Sequence, residues 1–243
     1  MNTTESLIPH LIELRSRMLR IVIGLLIACL LLLPFAGEIY QLLATPLLQS
    51  LPLGGQMVAT DVTAPFFVPM KAVLVAAFML AAPYTLYQAW AFIAPGLYLN
   101  ERRLITPLVL TSFLLFLCGM AFAYFLVFPV VFSFIISTAP DGVAVMTDIG
   151  KYFDFAMTLF IAFGLAFEVP VAVVLLAVTG VVSIAWLREA RPYVIVGAFI
   201  LGAIFTPPDI ISQFMLAVPL WLLYEAGIGI SILLQRNRLA IKS

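Results

Sequence analysis

From Ile21 to Gly37 the chain runs for seventeen residues without a charge, and stretches of this kind recur along its length. Such a run narrows the fold more than any motif does. Hydrocarbon offers no partner for a backbone N–H or C=O, so an apolar segment of about 20 residues crosses a bilayer as a helix that closes its own hydrogen bonds. Six runs qualify, over residues 19–35, 69–92, 104–136, 152–182, 193–205 and 210–234. The chain is 64% hydrophobic and 10% charged with a mean hydropathy of +1.18, against about 25% charged residues in soluble domains. These features specify an all-α membrane protein, with residues 1–243 forming one integral membrane domain.

The fifth run decides the topology. Its 13 residues lie between Pro192 and Pro207 and reach only ~20 Å as a helix, short of a hydrocarbon core of ~30 Å. Charge argues that it crosses nonetheless. With six spans, Arg15, Arg17, Arg20, Arg102, Arg103, Arg188, Arg191, Arg236, Arg238 and Lys242 share one side, and only Lys71 and Lys151 edge the other. That bias predicts both termini in the cytoplasm. Removing the fifth span would carry the last three of these cations outside. Thr206 and Asp209 frame Pro207 as a capping box with proline at the first helical position, so runs five and six are expected to form a tight hairpin. The segment over 36–68 reads as the largest outside loop, with turn residues at Pro52, Gly54 and Gly55. Prolines 34, 83, 129, 170 and 219 lie in or near spans, where each can kink a helix.

Several functions fall away. The net charge of zero gives no case for nucleic acid, and Cys29 and Cys118 both sit in apolar runs where a small buried hydrophobe fits better than a disulfide. Arginines precede the first apolar run and no small-residue cleavage site follows it, so no removable signal peptide is expected. His10 is the single histidine, no glycine-rich phosphate loop is present and no serine has an evident base. Neither catalysis nor a metal or other cofactor is expected.

What remains is carboxylates placed against type. A charged acid at the centre of a membrane helix costs about 2.5 to 3.5 kcal/mol on insertion scales, yet Glu168 stands in the run "AFGLAFEVPVAVVLL". It needs a partner, a proton or a cavity. Pro170 cannot donate to the carbonyl of Ala166, which leaves an acceptor beside it that invites water or a polar group. Near the amino terminus, Leu7, Leu11, Leu14 and Met18 form one helical stripe and His10, Glu13, Arg17 and Arg20 another. The pattern is an amphipathic helix on the cytoplasmic interface, with Glu13 and Arg17 as an ordinary i,i+4 pair. In "FIAPGLYLNERR", Glu101 precedes Arg102 and Arg103; there the arginines would set topology and Glu101 would be solvated.

A resemblance gives these acids another role. "HLIELRSRM", "FIAPGLYLNERR", "FEVP" and "RPYVIVGAFILGAIFTPPD" occur in the order and spacing of the TatC family, the multispanning receptors of twin-arginine protein translocases. The likeness covers nearly the whole chain. It implies export of folded proteins across the bacterial cytoplasmic membrane, driven by the proton-motive force. It also implies TatA-like and TatB-like single-span partners, self-association in a receptor complex, and cargo whose signal peptides carry paired arginines. By position, Glu13 and Glu101 match the family's acids that read the arginine pair, Arg15 matches the arginine of the same amino-terminal motif, and Phe92 an aromatic near that site, with Arg102 and Arg103 alongside Glu101. Pro46 and Asp209 match functional residues of the outside loops, and Glu168 the intramembrane glutamate. Thr206 and Gln213 resemble members of a polar patch where partner helices dock. The short stretch after Arg238 departs from the family pattern. A proton-coupled transporter of a small solute and an assembly scaffold are the alternatives. The first would ordinarily show repeats and broken helices near the midplane, and the second would need no acid pair on the cytoplasmic side.

Overall fold

The computed structural model describes residues 3–50, 57–93, 105–138, 146–205 and 210–242. Among these the chain is almost entirely helical: α1 Thr3–Leu32, α2 Ala36–Ser50, α3 Ala64–Ile93, α4 Ile105–Phe122, α5 Phe128–Ser137, α6 Ile149–Ala166, α7 Val169–Val178, α8 Ile184–Glu189, α9 Arg191–Phe205 and α10 Ile210–Lys242. A single two-residue parallel pairing joins β1, Met57–Val58, to β2, Thr147–Asp148. Five runs are long and apolar enough to cross a membrane: Leu11–Gln49, Ala64–Phe92, Pro107–Ser137, Ile149–Val178 and Gln213–Arg236. The fifth expected span, now α9, is a shorter apolar helix of 15 residues.

The amino-terminal amphipathic stretch is continuous with the first span, because α1 runs unbroken from Thr3 to Leu32. The expected outside loop is partly helical. Residues 36–50 form α2, which buries Leu43, Ala44, Pro46 and Leu47. Spacing of one, three and four residues puts these side chains on one helical face, and the helix runs through Pro46. The turn residues Pro52, Gly54 and Gly55 lie outside the described residues.

Of the five prolines expected to disturb helices, three coincide with a change in the ladder. Pro34 sits in a 3-10 turn, Leu33–Phe35, between α1 and α2. Pro129 follows a π-helical stretch, Ala123–Val127, and opens α5. Pro170 follows the turn at Phe167 and Glu168 that separates α6 from α7. Each lacks the N–H that would bond four residues back. Pro83 and Pro219 lie inside continuous helices.

The chain divides into two compact units, residues 1–43 with 65–114 and residues 44–64 with 115–243. In the first, Ala28 of α1 packs on Ala77 and Ala81 of α3, with Leu25, Cys29 and Leu32 around them. Small residues let membrane helices approach closely, which replaces the hydrophobic drive that lipid cannot supply. Trp90 donates its indole N–H to Ser112 Oγ at 2.8 Å, tying α3 to α4 through two buried polar groups.

The second unit uses the same device with larger partners. A Cβ at Gly164 would come within 2.5 Å of the Phe116 ring, and one at Gly119 would collide with the Phe163 carbonyl. Gly227 lies against Pro170 and Val173. Val173, Ala177, Leu187, Tyr224 and Ile228 form a core shared by α7, α8 and α10, and the Tyr224 hydroxyl donates to the Leu187 carbonyl at 2.7 Å. Gly180, at φ 73°, ends α7 in the left-handed conformation that favours glycine. Ser183 then caps α8 by accepting from the Trp186 N–H at 3.1 Å.

Candidate functional site

Glu13 lies half-exposed on α1, one helical turn before Arg17. The guanidinium closes on it twice: Nε donates to Glu13 Oε1 at 3.0 Å and Nη2 donates to the same oxygen at 2.6 Å. A third donor, Nη1, reaches Gln88 Oε1 on α3 at 3.1 Å. Gln88 is 4% exposed, so a buried amide in an apolar helix receives a guanidinium from α1. Beside the pair is an open depression of about 520 Å³ lined by Ile12, Glu13, Ser16, Arg17 and Arg20. Arg15 is exposed and Phe92 half-buried near the end of α3. Glu101, Arg102 and Arg103 lie outside the described residues.

Glu168 occupies the break between α6 and α7. Its N–H donates to the Leu165 carbonyl at 3.1 Å, and its own carbonyl accepts from Ala172 at 3.0 Å. The backbone therefore passes through a tightened turn at the proline, and both carboxylate oxygens are shielded from solvent by protein atoms. That shielding contrasts with the open cavity that the acceptor freed by Pro170 would invite. Gln213, half-buried on α10, is placed by the crossing with α9, where a Cβ at Gly202 would sit 3.4 Å from the Gln213 carbonyl. Thr206 and Asp209 lie outside the described residues. Pro46 is buried on α2.

Two further polar centres were not visible from local sequence. Asp148 Oδ2 accepts from Thr60 through both its N–H, at 3.0 Å, and its hydroxyl, at 2.5 Å, while Oδ1 caps α6 by accepting from the Lys151 N–H at 2.9 Å. The Thr60 hydroxyl, then the Lys151 and Thr60 amides, hold the Asp148 carboxyl well below the usual range. Asp61 is held down in the same way by Thr63. At the start of α9, Arg191 Nη2 donates to Glu225 Oε2 at 2.7 Å, and Nε lies 2.7 Å from Oε1 in the same ion pair without the alignment of a second hydrogen bond. Gln88 and Glu225 left one weak trace in the sequence, a polar residue inside an apolar run; their partners stand 71 and 34 residues away.

Helices of membrane length, uncharged over most of their course, with one carboxylate engaging a guanidinium and another shielded at a helix break, define a polytopic helical membrane protein. The comparisons make the class specific. Residues 9–219 match the model of the family described as TatC, Sec-independent protein translocase protein. The chain is 54% identical over 228 residues to the Sec-independent protein translocase protein TatC of Escherichia coli strain K12, covering 94% of this chain and 88% of that one. It is 37% identical over 238 residues to the protein of the same name from Aquifex aeolicus, covering 97% and 98%. A crystal structure of the twin-arginine translocase receptor TatC superimposes with a TM-score of 0.79 at 38% identity, over 92% of this chain and 98% of that one. The chain belongs to the TatC family.

Proposed function

We propose that this chain is the receptor and core subunit of a twin-arginine translocase in the bacterial inner membrane, binding arginine-pair signal peptides and exporting folded cargo with the proton-motive force. The observation that carries the reading is that Glu13 already holds a guanidinium, by two donors on one oxygen. Guanidinium matches carboxylate in a planar fork that an ammonium cannot reproduce. Glu13 and Glu101, on separate cytoplasmic segments, thus read two arginines, with Arg15, Arg102 and Arg103 setting the surrounding field and Phe92 offering an apolar wall. Six spans with both termini inside put these residues on one side. TatA-like and TatB-like helices dock at the polar patch of Glu168, Thr206 and Gln213, Pro46 and Asp209 act at the outside loops, and copies of the chain associate in the receptor complex.

The test is crosslinking of a twin-arginine peptide to membranes carrying Glu13→Ala or Glu101→Gln. Each substitution is expected to reduce the crosslink at unchanged protein level, since losing a hydrogen bond to a charged group costs about 1.5 to 3 kcal/mol. Undiminished crosslinking in both variants would remove the two acids from the site.

A further inference from the structure

The acid assigned to signal recognition is occupied. Arg17 sits on Glu13 with two donors, and the depression around them is lined by one carboxylate and two guanidinium groups, Arg17 and Arg20. Among the described residues, a peptide bearing two positive charges meets a surface whose lining acid is already neutralised. The pair is also more than an ordinary i,i+4 contact. Nη1 is anchored on Gln88, a side chain 4% exposed and fixed in α3, so the guanidinium is held in place from a second helix. Arg17 itself is 19% exposed and Glu13 36%, which leaves the carboxylate as the more accessible partner.

We propose that Arg17 is an internal competitor for the signal peptide: its guanidinium, steadied by Gln88, holds Glu13 until an incoming arginine takes its place. The inference rests on the assignment of Glu13 to signal recognition. Its consequence is a threshold. Displacing Arg17 adds the same penalty to every ligand, but an arginine restores on Glu13 the planar two-donor contact that Arg17 gives up, whereas a lysine offers a point charge without that geometry. Peptides with one or no arginine then fall below useful occupancy, while an arginine pair, spending one guanidinium on the exchange and one on a second acid, stays above it. Gln88 acts here as a positioning residue: it touches Arg17 and orders the closed state.

Peptide titration of the full-length protein in nanodiscs separates this role from the others, using a labelled twin-arginine peptide and its twin-lysine counterpart. Arg17→Gln is expected to tighten both peptides by one common factor, about two- to fivefold, what a partly exposed ion pair is worth. Gln88→Leu changes no charge and is expected to tighten both by a smaller factor, and the double variant to bind as Arg17→Gln alone does. If Arg17 instead supports Glu13, both single variants weaken binding. If Arg17 only contributes a repulsive field, Arg17→Gln tightens and Gln88→Leu binds as the unaltered protein does. Either result overturns the competitor. Should the glutamine variant not assemble, Arg17→Lys keeps the charge, loses the planar two-donor contact and is expected to tighten. A protein with no preference for the arginine peptide, or unaltered binding in Glu13→Ala, would overturn the assignment of Glu13 itself, and the competitor with it.

Discussion

Asp148 illustrates how much a single carboxylate can organise. One oxygen caps α6 and the other fixes Thr60, 88 residues earlier, next to the β1–β2 pairing. Because hydrogen bonds to the charged form depress its pKa, this contribution is complete above the ordinary carboxylate range and declines as pH falls through that range and below it. Asn at this position still caps a helix but has a single acceptor oxygen. Asp148→Asn is therefore expected to speed amide exchange at Thr60 while leaving Lys151 largely protected; equal protection at both would mean that Asp148 does not tie the two segments. Glu168 poses a different choice. A neutral, hydrogen-bonded acid is far less costly in a membrane than a charged one, and its oxygens are shielded. A contact role for partner or signal helices predicts that Glu168→Gln keeps most export of a twin-arginine reporter and Glu168→Ala loses it. Equal loss in both would point to proton transfer, and full export in Ala would leave the residue without that role.

At the scale of elements, α9 is the short member. Fifteen residues reach roughly 22 Å, and the helix opens on an ion pair between Arg191 and Glu225. Glu225 lies within α10, with apolar residues continuing to Leu234, so Arg191 meets its counter-charge beside a helix that is still apolar beyond that level. Pairing offsets part of the desolvation penalty that a lone guanidinium would carry there. If shortness serves to thin the bilayer along the cargo path, lengthening α9 by one apolar turn after Gly197, which has open space around its Cα, should impair export more than assembly. Normal export from a well-assembled variant would make the length incidental. The same helices show what the sequence made legible. Apolar runs, the i,i+4 spacing of Glu13 and Arg17, and the missing N–H of Pro170 are local patterns, and the structure contains each: five membrane-length helices, the ion pair, and the break at Glu168. The helix in residues 36–50 was hidden because the turn residues Pro52, Gly54 and Gly55 govern the reading of the whole 36–68 segment, while the burial that supports the helix, at Leu43 and Leu47, is tertiary. Gln88, Thr60 and Glu225 were hidden because their partners are set by tertiary packing, which no local periodicity encodes.

For the whole molecule, the open question is whether α9 crosses. Length alone gives five crossings, which would leave the amino terminus and the end of α10 on opposite faces. Charge gives six, since only then do Arg236, Arg238 and Lys242 join Arg15, Arg17 and Arg20 on the cytoplasmic side, where Arg188 and Arg191 stand on either count. The packing of α9 favours the second count. Gly202 approaches Gln213 near one end of the α9–α10 pair and Arg191 reaches Glu225 near the other end of α9, so the two helices run antiparallel over the full length of α9. Six crossings require that arrangement, with α10 returning the chain to the side that α9 leaves. A green fluorescent protein fused after Lys242 is therefore expected to fluoresce and a periplasm-dependent phosphatase at the same position to stay inactive, with the reverse pattern for a phosphatase placed in the segment between α9 and α10. An active phosphatase at the carboxyl terminus would establish five crossings. It would also place Arg236, Arg238 and Lys242 outside, against the charge bias that holds the other seven cations of that set on the cytoplasmic side.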